Sequence, residues 1–346
     1  MKNRVGSYRQ LRMWRRMRLK FLFLCLLLSA CVGGRGFQLT SVRWQDVPGW
    51  KDDNFTEVLP AILRTCERAP SGMIRFCQKL NNHVHDDNTQ LRQFFEQNLK
   101  PYRVSSYGSD YGKITGYYEA ELTGSRHQEN GAQVPVYGLP EDYEPGRKTD
   151  TREAIETECA NAPVIAWADD PVELFIAQVQ GSGRLTTSDG EVIHLGYAGN
   201  NGYAFTGIGT ILKEAGIQGV NSMPQIRQWL QDNPVEARKY MRKNKRYIYF
   251  REIQGETPYG TAEVVLTPER SVAVDTTYIP LHTLMLLNTT KPDKTPVRKM
   301  VVAQDTGAAI KGAIRADYFF GHGEEAFQQA GHMNQAGSYY LLKPKD

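Results

Sequence analysis

The stretch QDTGAAIKGAIRADYF, residues 304–319, holds two carboxylates, Asp305 and Asp317, twelve residues apart among small and apolar neighbours. A carboxyl in apolar surroundings keeps its proton to a higher pH than it would in water, which suits it to general acid–base work near neutrality. Asp305 opens Asp-Thr-Gly, the tripeptide that supplies the carboxylate in aspartic proteases. That chemistry needs two carboxylates sharing one proton. The chain has no second Asp-Thr-Gly or Asp-Ser-Gly, and Asp275-Thr276-Thr277 is the nearest approach. Nucleophile and cofactor motifs fail as well. The QGSGR stretch around Ser182 is not Gly-x-Ser-x-Gly, and GYAGNNG at 196–202 is neither a dinucleotide fingerprint nor a phosphate loop. His83-Val84-His85-Asp86 reads as a short solvated turn, so no metal and no cofactor are expected. Three aspartates near the C-terminus remain: Asp275, Asp305 and Asp317, read as standing at strand ends. On local sequence, Asp317 is either a proton donor or the cap of a turn. Asp305 is better suited to accepting backbone N–H groups at a strand end.

These groups need a scaffold, and the texture of the chain changes along its length. Over residues 52–100 the spacing of Phe55, Val58, Leu59, Ile62 and Leu63, and later of Leu91, Phe94, Phe95 and Leu99 before Pro101, predicts helices. From about Lys113 short runs rich in β-branched and aromatic residues predict strands: KITGYYEAEL, QVPVYGLP, APVIAWADD, VELFIAQVQGSGRL and EVIHLGYAG. A helical interlude follows in GIGTILKEAG and MPQIRQWLQDNPVEARKYMRKN, with Pro224 and Pro234 at helix starts. Strands return in RYIYFREI, AEVVLTP, SVAVDTTYIP, HTLMLLNTT, MVVAQDTG and GSYYLLKP. This order predicts a mainly β protein with helices, in which one domain is inserted into a parent barrel.

Composition narrows the function. The chain is 40% hydrophobic and 23% charged. That is a globular balance, and a length of 346 residues suffices for about two domains. The net charge of +4 is uneven. Eight of the 42 basic residues lie in the first 30 positions and no acid precedes Asp46, so the remainder carries −4 and lacks the basic footprint of a nucleic-acid binder. The segment MRLKFLFLCLLLSAC has the basic and apolar regions of a signal peptide. Its end, Leu28-Ser29-Ala30-Cys31, resembles a lipobox, which predicts removal of residues 1–30, lipidation of Cys31 and a periplasmic chain held at a membrane. Val32 rather than Asp after the cysteine points to the outer membrane. Of the remaining cysteines, Cys66 and Cys77 close a short loop and are the natural disulfide pair in an oxidising compartment; free thiols at Cys66, Cys77 and Cys159 are the alternative.

Taken in order, ITGYYEAEL, VQGSGRL, GYAGNNGYAFTGIG and AQDTGAAIKGAIRADYFFG resemble the membrane-bound lytic murein transglycosylase A family, including its neisserial lipoprotein members, over about residues 50 to 342. The resemblance implies cleavage of the β-1,4 bond between N-acetylmuramic acid and N-acetylglucosamine in peptidoglycan, leaving 1,6-anhydro ends. It implies a double-psi β-barrel (31–119 plus 246–346, with N-terminal helices) and an inserted β-rich domain (120–245), with a glycan groove between them. It also implies that Asp317 of RADYF is the catalytic acid/base, that Asp305 of AQDTG supports it, and that Thr115 of TGYY lies beside it. Tyr117 and Tyr118 alternate faces on a strand, so one is expected in the groove, taken as Tyr117, and the other in the core. Gln180, Ser182 and Tyr197 are expected to hydrogen-bond or stack on sugars, with turn and barrel roles as the alternative. The partners expected are peptidoglycan strands, the outer membrane through the anchor, and proteins of a wall-synthesis complex. A hydrolytic muramidase and a non-catalytic peptidoglycan binder are the rival readings.

Overall fold

The computed structural model describes residues 36–82, 87–129, 131, 133–158 and 161–345. The leader, Cys31, the 83–86 turn and Cys159 lie outside the described residues. A short strand β1 (Gln38–Ser41) precedes helices α1 (Leu59–Glu67), α2 (Ile74–Asn81) and α3 (Asn88–Asn98). The helical span read from sequence is thus three helices. Pro70 and Gly72 interrupt the first two. Asp87 caps the third by accepting the N–H of Thr89 at 2.7 Å. Cys66 of α1 and Cys77 of α2 are joined in a disulfide, Cα to Cα 5.5 Å.

The chain then runs through β2 (Leu99–Ser105), β3 (Gly112–Ser125), β4 (Val134–Tyr137), α4 (Arg152–Glu158), β5 (Val164–Ala168) and α5 (Pro171–Gln180). It continues with β6 (Ser182–Thr187), β7 (Val192–Asn200), α6 (Ile208–Glu214), α7 (Met223–Asp232), α8 (Pro234–Lys243) and β8 (Ile248–Ile253). The last third comprises β9 (Ser271–Val274), β10 (Leu284–Thr290), β11 (Pro296–Asp305), β12 (Arg315–His322), α9 (Gly323–His332) and β13 (Asn334–Pro344). The molecule is mainly β with helices, as expected.

Three local expectations give way. VELFIAQVQ is helix α5, not strand. Asp170 accepts the N–H of Val172 at 2.7 Å, Pro171 occupies the first turn, and Gly181 ends the helix at φ +87°. Burial on most of its faces removed the polar stripe that would have marked it as a helix. AEVVLTP is a loop, because Glu263 stands at φ +57° and Ala262 gives its N–H to Gln304 instead of to a ladder. Asp317 is no turn cap and does not stand at a strand end. It lies within β12, a strand that its short, mixed sequence did not announce.

Strand pairing closes on itself. β13 pairs β10, followed in turn by β11, β9, β12 and β3, and β3 pairs back to β13, a closed ring of six strands among the described residues. β3 also links two sheets. Residues 113–119 pair β12 and residues 120–124 pair β6, from which β7 and β8 continue. Gly116 makes room for α9: a Cβ there would meet the Phe320 ring at 2.6 Å and Ala330 Cα at 2.9 Å. The N-terminal helices bury Ile62, Phe76, Leu80, Leu91 and Phe95 against Leu284, Leu286, Met300 and Val302 of the ring. Two buried polar groups lock this layer down. Gln304 donates to Ala61 O and Thr65 Oγ1, each at 2.9 Å. The Arg270 guanidinium donates to both oxygens of Asp53 (2.9 and 3.1 Å) and to Glu57 at 2.7 Å.

Candidate active site

Register brings the two carboxylates together. Asp305 on β11 pairs with Ala273 on β9, Ala273 with Asp317 on β12, Asp317 with Thr115 on β3, and Thr115 with Asn334 on β13. Residues in register share a face, and neighbouring strands lie about 4.8 Å apart, so Asp305 and Asp317 stand side by side two strands apart with only the small Ala273 between them. Beside this row lies an apolar floor of Tyr117, Phe319, Ala273, Leu266 and Ile310.

The surroundings of the two carboxyls differ. Asp317 Oδ1 accepts one described hydrogen bond, from the Thr115 hydroxyl, and Arg315 Nη2 in turn donates to Thr115 Oγ1 at 2.8 Å. Burial pushes the Asp317 pKa up; Thr115 and the positive charges of Arg315 and Lys113 oppose this, and the charge of Asp305 adds to it. Asp305 Oδ1 takes three donors, the N–H and hydroxyl of Thr261 and the N–H of Thr306, each at 2.9 Å. Its pKa is raised too, again by burial, but those donors favour its charged form. Asp275, just past β9, has a third role. Burial acts to raise its pKa, but the N–H groups of Gly312 (2.8 Å) and Thr277 (3.1 Å) prevail and hold it below the usual carboxylate range. It thereby pins the loop that joins Asp305 to Asp317. Thr261, Arg315 and Asn334 were missed in the sequence, since nothing local marks them.

Other expected contacts are distributed differently. Tyr117 is 8% exposed and Tyr118 5%, so neither presents its ring on an open surface. Tyr117 packs on Phe319 at 5.1 Å between ring centres, and Tyr118 on Phe327 at 5.3 Å, because β3 is covered on both faces. Gln180 is committed to the backbone, accepting the N–H of Tyr118 at 3.2 Å. Ser182, half-buried, opens β6 opposite Gly196. Tyr197 is 45% exposed, its phenol oxygen accepting from Asn200 Nδ2 at 2.6 Å, which leaves the ring free for stacking.

If Asp305 is a scaffold, Asp305→Asn is expected to retain partial turnover. Asp305→Ala strands the donors of Thr261 and Thr306 and is expected to lose about 1 to 3 kcal/mol of stability as well as activity. Turnover and melting temperature of the two variants check this, and equal loss in both would remove the scaffold role.

A closed strand ring presenting two unequal carboxyls over an apolar floor is an arrangement of the kind that general acid–base enzymes use. Two family models match: the MltA specific insert domain over residues 113–251 and the 3D domain over residues 270–343. The chain is 31% identical over 251 residues to the membrane-bound lytic murein transglycosylase A homolog of Buchnera aphidicola, covering 69% of this chain and 68% of that one. Among solved structures it is similar to MltA from Neisseria gonorrhoeae (31% identity, 90% of this chain and 94% of that, TM-score 0.80). It is also similar to the lytic transglycosylase LtgG of Burkholderia pseudomallei (38% identity, 89% and 96%, TM-score 0.65). The chain belongs to the membrane-bound lytic murein transglycosylase A family.

Proposed function

We propose that this chain carries out its family's lytic transglycosylase reaction on peptidoglycan with Asp317 as the one acid/base. The observation that carries the assignment is the contrast within the row: both carboxyls are half-buried with pKa values raised by burial, but Asp317 has a single described donor whereas Asp305 has three on one oxygen to favour its charged form. Protonated Asp317 gives its proton to the glycosidic oxygen as that bond to C1 of N-acetylmuramic acid breaks. The substrate's own C6 hydroxyl then attacks C1, and its proton returns to the Asp317 carboxylate. Water is not a reactant, so the second carboxylate that ordinary glycoside hydrolysis requires is unnecessary. Thr115 orients the carboxyl, and Arg315 orients Thr115. Ser182 and the open ring of Tyr197 fit glycan contacts, and Gln180 supports that wall from behind. The change of partner along β3 at residues 119–120 supports the start of an insert (120–245) within a barrel (31–119 plus 246–346, double-psi in topology), whereas β8, just past the proposed end of the insert, pairs β7 and so extends the insert's sheet. Mass spectrometry of digested murein tests the reaction: anhydro-muropeptides are expected, while reducing ends would make the enzyme a muramidase and absence of products would make it a binder.

Membrane association follows from the family, and the finer reading is a lipid at Cys31 facing the periplasm from the outer membrane. No helix among the described residues is long and apolar enough to cross a membrane. Labelled fatty acid is expected on the wild type and absent from Cys31→Ala; equal labelling of both would end the anchor assignment. Partner proteins in a wall-synthesis complex belong to the same proposal, and co-purification from crosslinked cells would test them.

A further inference from the structure

The hydroxyl of Tyr117 is fully buried and has no hydrogen-bond partner among the described residues. Leaving such a group unpaired costs about 1 to 3 kcal/mol, so its place calls for an account. As an apolar filler, phenylalanine would serve better at this position, against Phe319 and among Leu266, Ala273 and Ile310. Strand alternation puts Tyr117 on the face of β3 that carries Thr115, the residue bonded to Asp317. Burial, and after it the nearby negative charges of Asp305 and Asp317, hold its pKa well above the ordinary phenol value, so it remains a neutral donor. Asp305 uses Oδ1 for all three of its described bonds and has none on Oδ2. The phenol faces this carboxyl without making a bond of ordinary geometry.

We propose that Tyr117 is a positioning residue whose phenol O–H donates to Oδ2 of Asp305 and, through that carboxylate, sets the negative charge that Asp317 faces. A donor on Oδ2 favours the ionised form of Asp305. An ionised Asp305 in the same row makes the Asp317 proton harder to remove. The remaining groups bearing on Asp317 are Thr115 and Lys113 of β3 and Arg315 of its own strand, and all three favour its charged form. Burial is the first cause that keeps Asp317 protonated against them; Asp305 is the charge that adds to it, and Tyr117 completes the solvation of Asp305 alongside Thr261 and Thr306. This role rests on Asp317 being the acid/base.

Tyr117→Phe keeps the ring and its packing and removes only the hydroxyl. In the full chain labelled with carbon-13 at aspartate carboxyls, the Asp305 titration is expected to move up and that of Asp317 down, the two being read as a coupled pair. The loss in kcat/KM should be roughly three- to tenfold larger at about pH 8 than at about pH 5, since the acid must be protonated to begin the reaction. Unchanged titrations of both carboxyls would overturn the proposal and leave Tyr117 as a filler, whatever happens to stability. Titrations that shift as expected without any change in the pH profile would uphold Tyr117's place and instead remove Asp317 as the acid/base.

Discussion

Asp317→Asn is expected to lower turnover on murein by about 10^2 to 10^4, the range lost with a general acid–base group. The amide preserves the shape of the side chain and can still accept the Thr115 hydroxyl, but it can neither give nor take the proton. Glycan binding is expected to survive. Stability should move the other way. The folded-state pKa of Asp317 is raised, chiefly by burial, so between the ordinary carboxyl pKa and that raised value the folded chain binds more protons than the unfolded one. This group therefore lowers stability as pH rises through that window and contributes nothing below it. The variant should melt at or above the wild type near pH 7 and match it in acid. Turnover and melting curves at two pH values, alongside those for Asp305→Asn, check both arms. An active Asp317→Asn together with an inactive, stable Asp305→Asn would transfer the acid/base role to Asp305.

The largest stability effect is expected at Arg270, whose side chain is 2% exposed and paired with Asp53 at 1%. Arg270→Ala leaves the Asp53 carboxylate buried with only the N–H of Met300, at 2.6 Å, and the rest of its charge uncompensated. Breaking a buried pair in this way costs about 3 to 5 kcal/mol, a fall in melting temperature on the order of 10 °C for a chain of this size. The same guanidinium bonds Asn54 O, Met300 O and Glu57, and so ties the helical layer to the start of β9, the strand that spaces Asp305 from Asp317. Activity should fall with stability. The double variant Arg270→Met, Asp53→Leu should regain much of the loss, because replacing both ions by apolar groups removes the unpaired charge. A melting temperature within about 2 °C of wild type for Arg270→Ala would show that the pair is not what holds this layer.

What the sequence determined by itself was local and compositional. The acidic remainder, the strand-rich texture on either side of a helical interlude, and the two aspartates in an apolar stretch could all be read residue by residue, and the leader with Cys31 stands as an expectation of the same kind. The candidate chemistry was legible because Asp317 and Asp305 are close in sequence and because TGYY carries the threonine that meets one of them. What only the tertiary structure decided was register. The row Asp305, Ala273, Asp317, Thr115, Asn334 draws on five strands from both ends of the chain, and a one-residue slip on any of them would turn its side chain to the other face. Helix α5 escapes the sequence because burial on most of its faces removes the polar stripe that distinguishes helix from strand, and β12 because its short, mixed sequence carries no clear strand signal. Tyr117 was read as a groove residue because strand alternation shows only which residues share a face. Whether that face meets solvent or a packed floor depends on Leu266, Ile310 and Phe319, which reach it from well over a hundred residues away. Thr261 and Arg315 look like ordinary loop and surface residues in the sequence, and only the fold brings them to the carboxyls that they solvate and orient.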